Sequence, residues 1–311
     1  MNEDLTTIQK TKLWLLTKTL QAMAVLPQTA RLRLGGLIGQ GARSFAFKRR
    51  GIMQHNLELA FPESDQKWRN DIIASHFKRL GEDAFESVWG WYGQTKTPPP
   101  HQVIGLEHIL AARARGQGVI LNAGHFTPGD FAVYLGAQHW PIHAVYRPNN
   151  NPIIDELINR GRRKHVVSLI DRKDTRGMIR CLKKGCLKKG GILWTAADQS
   201  YHGKQSAYLP FFGIPCATST AIPVLARLSG ATVLPFYVRR QDGCYHLEIH
   251  DPLECLPSGD DVADTRRLVE ILEAEIRVEP SAYLWGHRRY KDRPDEDART
   301  NSPPTDTTER N

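Results

Sequence analysis

The sequence predicts an α/β fold, a mixed central sheet flanked by helices, preceded by an N-terminal membrane-associated helical segment. Three observations predict it. After the run Pro98-Pro99-Pro100, short apolar runs alternate with stretches of helical spacing, the pattern of strands joined by helical crossovers. Before that run the apolar residues recur at helical spacing only. The 311-residue chain is 41% hydrophobic and 24% charged, enough to bury a full core and too apolar for wholesale disorder.

Residues 10–50 alternate Leu13-Trp14-Leu15-Leu16, Met23 to Leu26 and Leu34 to Ile38 with single cations. No stretch reaches the roughly 20 uninterrupted apolar residues of a spanning helix. Trp, Leu and Lys/Arg in this spacing describe a helix lying in the headgroup plane, with Lys10, Lys12, Lys18, Arg31 and Arg33 near lipid phosphates. A helix covering the protein's own core has the same composition, and the pattern leaves both readings open. From Arg69 to Trp91, Ile72, Ile73, Phe77, Leu80, Phe85 and Val88 share one helical face.

Strands are expected at Gly118–Asn122, Ile142–Tyr146, Gly191–Thr195 and Thr232–Val238, with helices at Phe131–Gln138, Ile153–Lys164, Thr175–Lys184 and Ala221–Ser229. Cys244–Ile249 alternates Tyr245, Leu247 and Ile249 inward with Cys244, His246, Glu248 and His250 outward. That outward set is read as the solvated face of an edge strand, and no metal is assigned. Cys181 to Gly190 is a tandem Cys-Leu-Lys-Lys-Gly duplication, too short for an architectural repeat. The organisation expected is a membrane-associated amphipathic segment over 1–50, a folded domain over 51–291 and a disordered tail over 292–311. The five cysteines are odd in number and contain no C-x-x-C, which argues for a reduced environment.

Charge narrows the partners. The formal net charge is +9, with +7 on residues 1–57, +9 on residues 144–191 and −3 on residues 292–311. Two basic patches on an otherwise mildly acidic chain suit an anionic partner. The cations are not interleaved with aromatics, and neither zinc-finger nor RNA-recognition signatures occur, so no nucleic-acid partner is expected.

The chemistry concentrates at Asn122-Ala-Gly-His125-Phe-Thr-Pro-Gly-Asp130. His125 follows a buried strand at its carboxyl end, where open α/β sheets place ligands. A carboxylate at Asp130 can fix the imidazole in one tautomer while its other nitrogen takes a proton from an attacking hydroxyl. Thr127-Pro128-Gly129-Asp130 is equally a helix start, with Thr127 as N-cap and Asp130 closing a capping box. Asp198 follows the strand Gly191–Thr195 and Arg147 the strand Ile142–Tyr146, so both reach the same sheet edge as His125. Neither a nucleophile elbow nor a P-loop is present.

The sequence resembles the lauroyl/myristoyl acyltransferases of lipid A biosynthesis. The resemblance runs from about Leu13 to Pro294 through Asn56-Leu-Glu-Leu-Ala-Phe-Pro62, His125 with Asp130, Val145-Tyr-Arg-Pro-Asn-Asn-Asn-Pro152, Ala197-Asp-Gln199, Leu209-Pro-Phe-Phe-Gly213 and Trp285-Gly-His-Arg-Arg-Tyr-Lys291. It implies that residues 51–291 form an acyltransferase domain at the cytoplasmic face of the inner membrane. It implies acyl-acyl carrier protein as donor, an anionic Kdo-bearing lipid A precursor as acceptor, no cofactor, and His125 as base supported by Asp130. Arg147, Arg162 and Asp198 are the expected substrate-binding residues. Asp130 stands where many members carry Glu, a shorter arm. An acyltransferase of the same H-x4-D pattern acting on another glycolipid or phospholipid is the alternative reading.

Overall fold

The computed structural model describes residues 6–93, 97–184 and 191–294. Helix α1 (Thr7–Met23) opens on a capping box, Thr6 accepting the Gln9 N–H at 3.3 Å and the Gln9 side chain accepting the Thr6 N–H at 2.9 Å. Helices α2 (Gln28–Phe45), α3 (Phe47–Ala60) and α4 (Gln66–Tyr92) follow, the last capped by Asp65. Gly35 and Gly39 let α2 approach α4 to backbone contact at Gly81, where an added Cβ would stand 2.0 Å from the Gly35 carbonyl oxygen.

The first segment divides between exposed and packed parts. Trp14 is 58% exposed, and Leu15, Leu37 and Ile38 are exposed with it, whereas α2 packs on the body of the protein. Arg31, expected at lipid headgroups, is instead 4% exposed. Its Nε donates to Glu86 of α4 at 2.7 Å, its Nη1 donates to the Leu26 carbonyl at 2.7 Å, and its guanidinium lies 4.8 Å from the Trp89 ring centroid. Glu86 is itself fully buried, so it requires a cation beside it. Among the described residues no helix is long and apolar enough to cross a membrane.

Beyond α4 come β1 (His101–Ile104), α5 (Leu106–Ala114), β2 (Val119–Ala123), α6 (Gly129–Gly136), β3 (Ile142–Tyr146), α7 (Pro152–Arg162), β4 (Ser168–Asp171) and α8 (Thr175–Lys184). They are followed by β5 (Ile192–Ala196), the hairpin β6 (Ser206–Phe211) and β7 (Ile214–Ser219), α9 (Ala221–Ser229), β8 (Thr232–Gln241), β9 (Cys244–Ile249) and α10 (Asp261–Val278). Seven strands form one sheet in the order β1-β9-β8-β2-β5-β3-β4, parallel except between β8 and β9. The sheet is therefore mixed, as expected. All five residues of β2 are buried, which is why its sequence, Val-Ile-Leu-Asn-Ala, does not alternate apolar with polar residues.

One expectation is corrected here. Strand β9 is not an edge strand, because β1 pairs with its outer side. Its inward residues Tyr245, Leu247 and Ile249 are buried, but Glu248 and His250 meet Glu275 of α10 rather than open solvent. Their ligand-type atoms lie within 4.8 Å of one another, and Arg239 binds both carboxylates, at 3.0 Å to Glu248 and by a short contact to Glu275. A guanidinium thus already occupies that cluster as the counter-charge shared by both carboxylates. Asp292, the first residue of the expected tail, is hydrogen-bonded to the folded chain: its carbonyl accepts the Ala217 N–H at 2.9 Å, and its carboxylate accepts the Ser200 hydroxyl at 2.6 Å. Residues 295–311 of the expected tail and 185–190 of the duplication lie outside the described residues.

The glycine contact yields a test with opposed signs. Ala exceeds Gly by about 1 kcal/mol in helix propensity, so Gly41→Ala, with nothing within 4 Å of the new methyl, should raise the melting temperature. Gly81→Ala should lower it, because the methyl meets α2 backbone. Thermal denaturation of both variants checks this; a rise at both positions would mean that the α2–α4 approach is not tight.

Candidate active site

Strands β2 and β5 are parallel neighbours in register, Asn122 opposite Thr195 and Ala123 opposite Ala196. Two residues past the end of each strand stand His125 and Asp198, and the register carries over to them. His125 Nδ1 lies 2.5 Å from Asp198 Oδ1, and the His125 backbone N–H donates to Asp198 Oδ2 at 3.0 Å. Both carboxylate oxygens are thereby committed to one residue. The Asp198 side chain is 4% exposed and that of His125 35%, so the carboxylate is sealed and the imidazole is open.

With Nδ1 bound as donor, Nε2 is the nitrogen available to a substrate proton. Burial works against a charged imidazole, but the Asp198 charge and hydrogen bond, with a smaller contribution from Asp130, outweigh it and raise the His125 pKa above its ordinary 6.5. Burial likewise opposes ionisation of Asp198, yet the His125 charge and hydrogen bonds draw its pKa down to about 2. The pair is consistent with an ionised carboxylate holding an imidazole of strengthened basicity.

Asp130 is placed differently from the sequence expectation. It belongs to the first turn of α6 and accepts from Arg162, Nε at 2.8 Å and Nη2 at 2.6 Å, so the carboxylate hydrogen-bonded to the imidazole is Asp198. The capping box is not formed either: α6 begins at Gly129 without a side-chain cap, and the Thr127 N–H donates to the Ala282 carbonyl at 2.8 Å. The C-terminal segment takes that N–H because residues 280–284 run alongside the loop. The Leu284 N–H donates to the His125 carbonyl at 2.8 Å, and Phe126 bridges Tyr283.

His125, Asp130, Arg147 and Arg162 share a cavity of about 470 Å³ whose remaining wall includes Val88, Trp91, Val133, Val145, Leu169 and Trp194. Four of the five candidates thus line one space, and Asp198 supports it from behind. Arg147 is exposed and, among the described residues, has no acidic partner, whereas Arg162 is held by Asp130. Two further residues went unassigned in the sequence. His287 is held neutral, its pKa lowered to about 4 by burial and then by the neighbouring His125 charge, and Tyr283 is buried with its phenol pushed well above its ordinary pKa by burial and Asp198. Both sit in the Tyr283 to Lys291 stretch, whose run of aromatic and basic residues was the available signal.

A base-type imidazole fixed by a buried carboxylate, opening at a sheet's carboxyl edge onto a largely apolar cavity with two arginines, defines an α/β enzyme suited to an amphiphilic, anionic substrate. The particular family follows from comparison with known proteins. The chain belongs to the bacterial lipid A biosynthesis acyltransferases, whose family profile matches residues 2–292. It is 36% identical over 286 residues to the lipid A biosynthesis lauroyltransferase of Escherichia coli (strain K12), covering 91% of this chain and 92% of that protein. It is 35% identical over 273 residues to the lipid A biosynthesis palmitoleoyltransferase of the same strain, covering 86% and 87%. The myristoyltransferase of that strain is 27% identical over 282 residues, covering 88% of this chain and 84% of its own. The protein is an acyltransferase acting on lipid A.

The dyad predicts a direct titration result. In Asp198→Asn the carboxylate that raises His125 is gone while burial remains, so the imidazole pKa should fall. Histidine NMR titration of the wild type should place His125 above 6.5 and the variant below the wild type. Because the folded pKa is raised, the pair's contribution through His125 to stability is full below the unfolded value and fades as pH rises through the folded one. Identical titration curves in both proteins would remove the ion pair from the site.

Proposed function

We propose that the chain moves a fatty acyl group from acyl carrier protein to a hydroxyl of a Kdo-bearing lipid A precursor, at the cytoplasmic face of the inner membrane, with His125 as general base. The observation that carries this reading is the 2.5 Å contact between His125 and a sealed Asp198 beside an apolar cavity. The acceptor hydroxyl gives its proton to His125 Nε2 as its oxygen bonds to the thioester carbonyl carbon. The tetrahedral centre then collapses, the C–S bond breaks, and the imidazolium returns the proton to the departing thiolate. Asp198 keeps Nδ1 protonated and stabilises the imidazolium. Asp130 acts at longer range, by its charge on His125 and by fixing Arg162. Arg147 and Arg162 suit the phosphate or carboxylate groups of the acceptor. The exposed Trp14, Leu15, Leu37 and Ile38 support attachment to a bilayer surface rather than insertion across it.

His125→Ala should lower turnover by about 10² to 10⁴ with little change in melting temperature. A variant retaining more than roughly a tenth of wild-type turnover would exclude His125 as the base. Arg147→Ala should raise the acceptor KM before it lowers kcat, since it acts on binding. Mass spectrometry of lipid A from cells lacking the protein identifies the acceptor: loss of one secondary acyl chain is the expected result, and unchanged lipid A would direct the same chemistry to another glycolipid or phospholipid.

At the membrane, replacing Trp14, Leu15, Leu37 and Ile38 together by Gln should release the protein into the supernatant of sedimented membranes, with the activity on detergent-dispersed acceptor retained. Full retention on membranes after that replacement would place the attachment elsewhere.

A further inference from the structure

The elbow between α2 and α3 encloses a second cavity, of about 520 Å³, that shares no residue with the catalytic one. Arg43 reaches it from the last turn of α2, Phe47 and Arg50 from the first turn of α3, and Gln54, Gln66 and Asn70 complete its polar wall. No carboxylate lines it. Several arginines of this fold are paired with acids: Arg31 with Glu86, Arg162 with Asp130, Arg239 with Glu248 and Arg240 with Glu82. Among the described residues Arg43 and Arg50 have no such partner, although both are half-buried and the Arg50 Nε is buried without a hydrogen-bond acceptor. A buried cationic N–H without an acceptor is unfavourable, and an anion in the cavity would relieve it.

The remaining wall supplies neutral donors. Gln54 donates to Gln66 at 3.0 Å and Gln66 donates to Asn70 at 3.1 Å, which leaves the Asn70 NH₂ group as the donor at the end of the chain. Phe47 stacks on Arg50, its ring centroid 5.0 Å from the guanidinium carbon, and so restricts the plane of the fork. Phe47, which lines the cavity, is 67% exposed, and Phe45, two residues before it in the chain, is 83% exposed. Paired guanidiniums with an amide donor are the chemistry that recognises phosphate. Exposed aromatic rings beside them are the chemistry of the headgroup layer.

We propose that the Arg43–Arg50 groove is a phosphate-binding site that takes the headgroup of an anionic lipid, separate from the catalytic cavity. It does not depend on the catalytic reading, since no residue of the groove touches the reacting atoms. A lipid phosphate and free phosphate share the polar contacts; the two phenylalanines favour the lipid.

The test uses the full-length protein and vesicles of phosphatidylcholine with and without phosphatidylglycerol. Arg43→Gln/Arg50→Gln is compared with Lys10→Gln/Lys12→Gln, which removes the same charge from exposed positions of α1. Diffuse surface charge would weaken both variants alike. The groove predicts a loss of affinity for phosphatidylglycerol vesicles about tenfold greater in the arginine variant than in the lysine variant. Turnover on detergent-dispersed acceptor should stay at the wild-type level in both, so failure of the groove and failure of the catalytic reading register in different assays. Equal losses in the two variants would overturn the proposal, as would a wild-type protein indifferent to phosphatidylglycerol. Inorganic phosphate, added against chloride at matched ionic strength, should displace little protein from the vesicles. Inorganic phosphate bound in solution by the wild type and not by the arginine variant, with equal affinity of the two for phosphatidylglycerol vesicles, would overturn the lipid assignment in favour of a free-phosphate site.

Discussion

The active site depends on the in-register parallel pairing of β2 with β5. Because Ala123 faces Ala196, the residues two positions on, His125 and Asp198, emerge side by side at the same sheet edge and meet at 2.5 Å. A shift of one residue in either strand would turn its side chains to the opposite face and separate the pair. That register is strongly fixed, since β2 is buried throughout and lies between β8 and β5. The dyad's geometry is therefore set by a pairing in which one strand is buried along its whole length.

What lies beyond the strand ends needs separate support, because a loop has no ladder of its own. The Leu284 N–H to the His125 carbonyl and the Thr127 N–H to the Ala282 carbonyl supply it from the C-terminal segment. That segment is in turn held by the N-terminal helices. Asn56 of α3 donates to the Trp285 and His287 carbonyls at 2.7 and 2.6 Å, Arg49 donates to the Gly286 carbonyl at 2.7 Å, and His76 of α4 lies 3.0 Å from the Ser281 carbonyl. The helices before the sheet thus brace the active-site loop through the end of the chain. The buried amide of Asn56 explains why Asn, rather than an apolar residue, begins the Asn56 to Pro62 stretch: its N–H groups satisfy two carbonyls that would otherwise be buried unpaired.

The parts of the fold that follow from local periodicity were legible in the sequence. The spans expected for β3, β9, α8 and α9 coincide with those observed, because alternation and helical spacing are properties of a short window. Placement across the sheet was not legible. His125 stood out, since it follows an apolar run closely, but its partner is 73 residues away, just beyond a strand whose neighbours depend on the order of the whole sheet. The five-residue spacing to Asp130 measured distance along the chain, and the intervening turn directs that carboxylate to Arg162. Arg31 fitted an exposed cationic stripe equally well as a buried ion pair, because Glu86, which decides between them, lies on another helix. The edge-strand reading of Cys244–Ile249 failed for the same reason: β1, which covers it, comes from well over a hundred residues earlier.

The division between the two carboxylates has a consequence for the cavity's cations. Asp198 spends both oxygens on His125, so Asp130 is free to hold Arg162, and the cavity contains one fixed guanidinium and one, Arg147, without an acidic partner among the described residues. An arginine carries about 2 kcal/mol of rotamer entropy. Arg162 has lost part of that freedom on folding, whereas Arg147 loses it when it meets an anion. The fixed cation is the better determinant of where an acceptor group sits, since its position exists before binding. Arg147, exposed on the loop after β3, suits a group whose position varies with the bound chain. The Asp130–Arg162 pair therefore links the two halves of the proposed site: one carboxylate raises the basicity of His125 by its charge and, through its hydrogen bonds, sets the geometry of the arginine proposed to meet the acceptor.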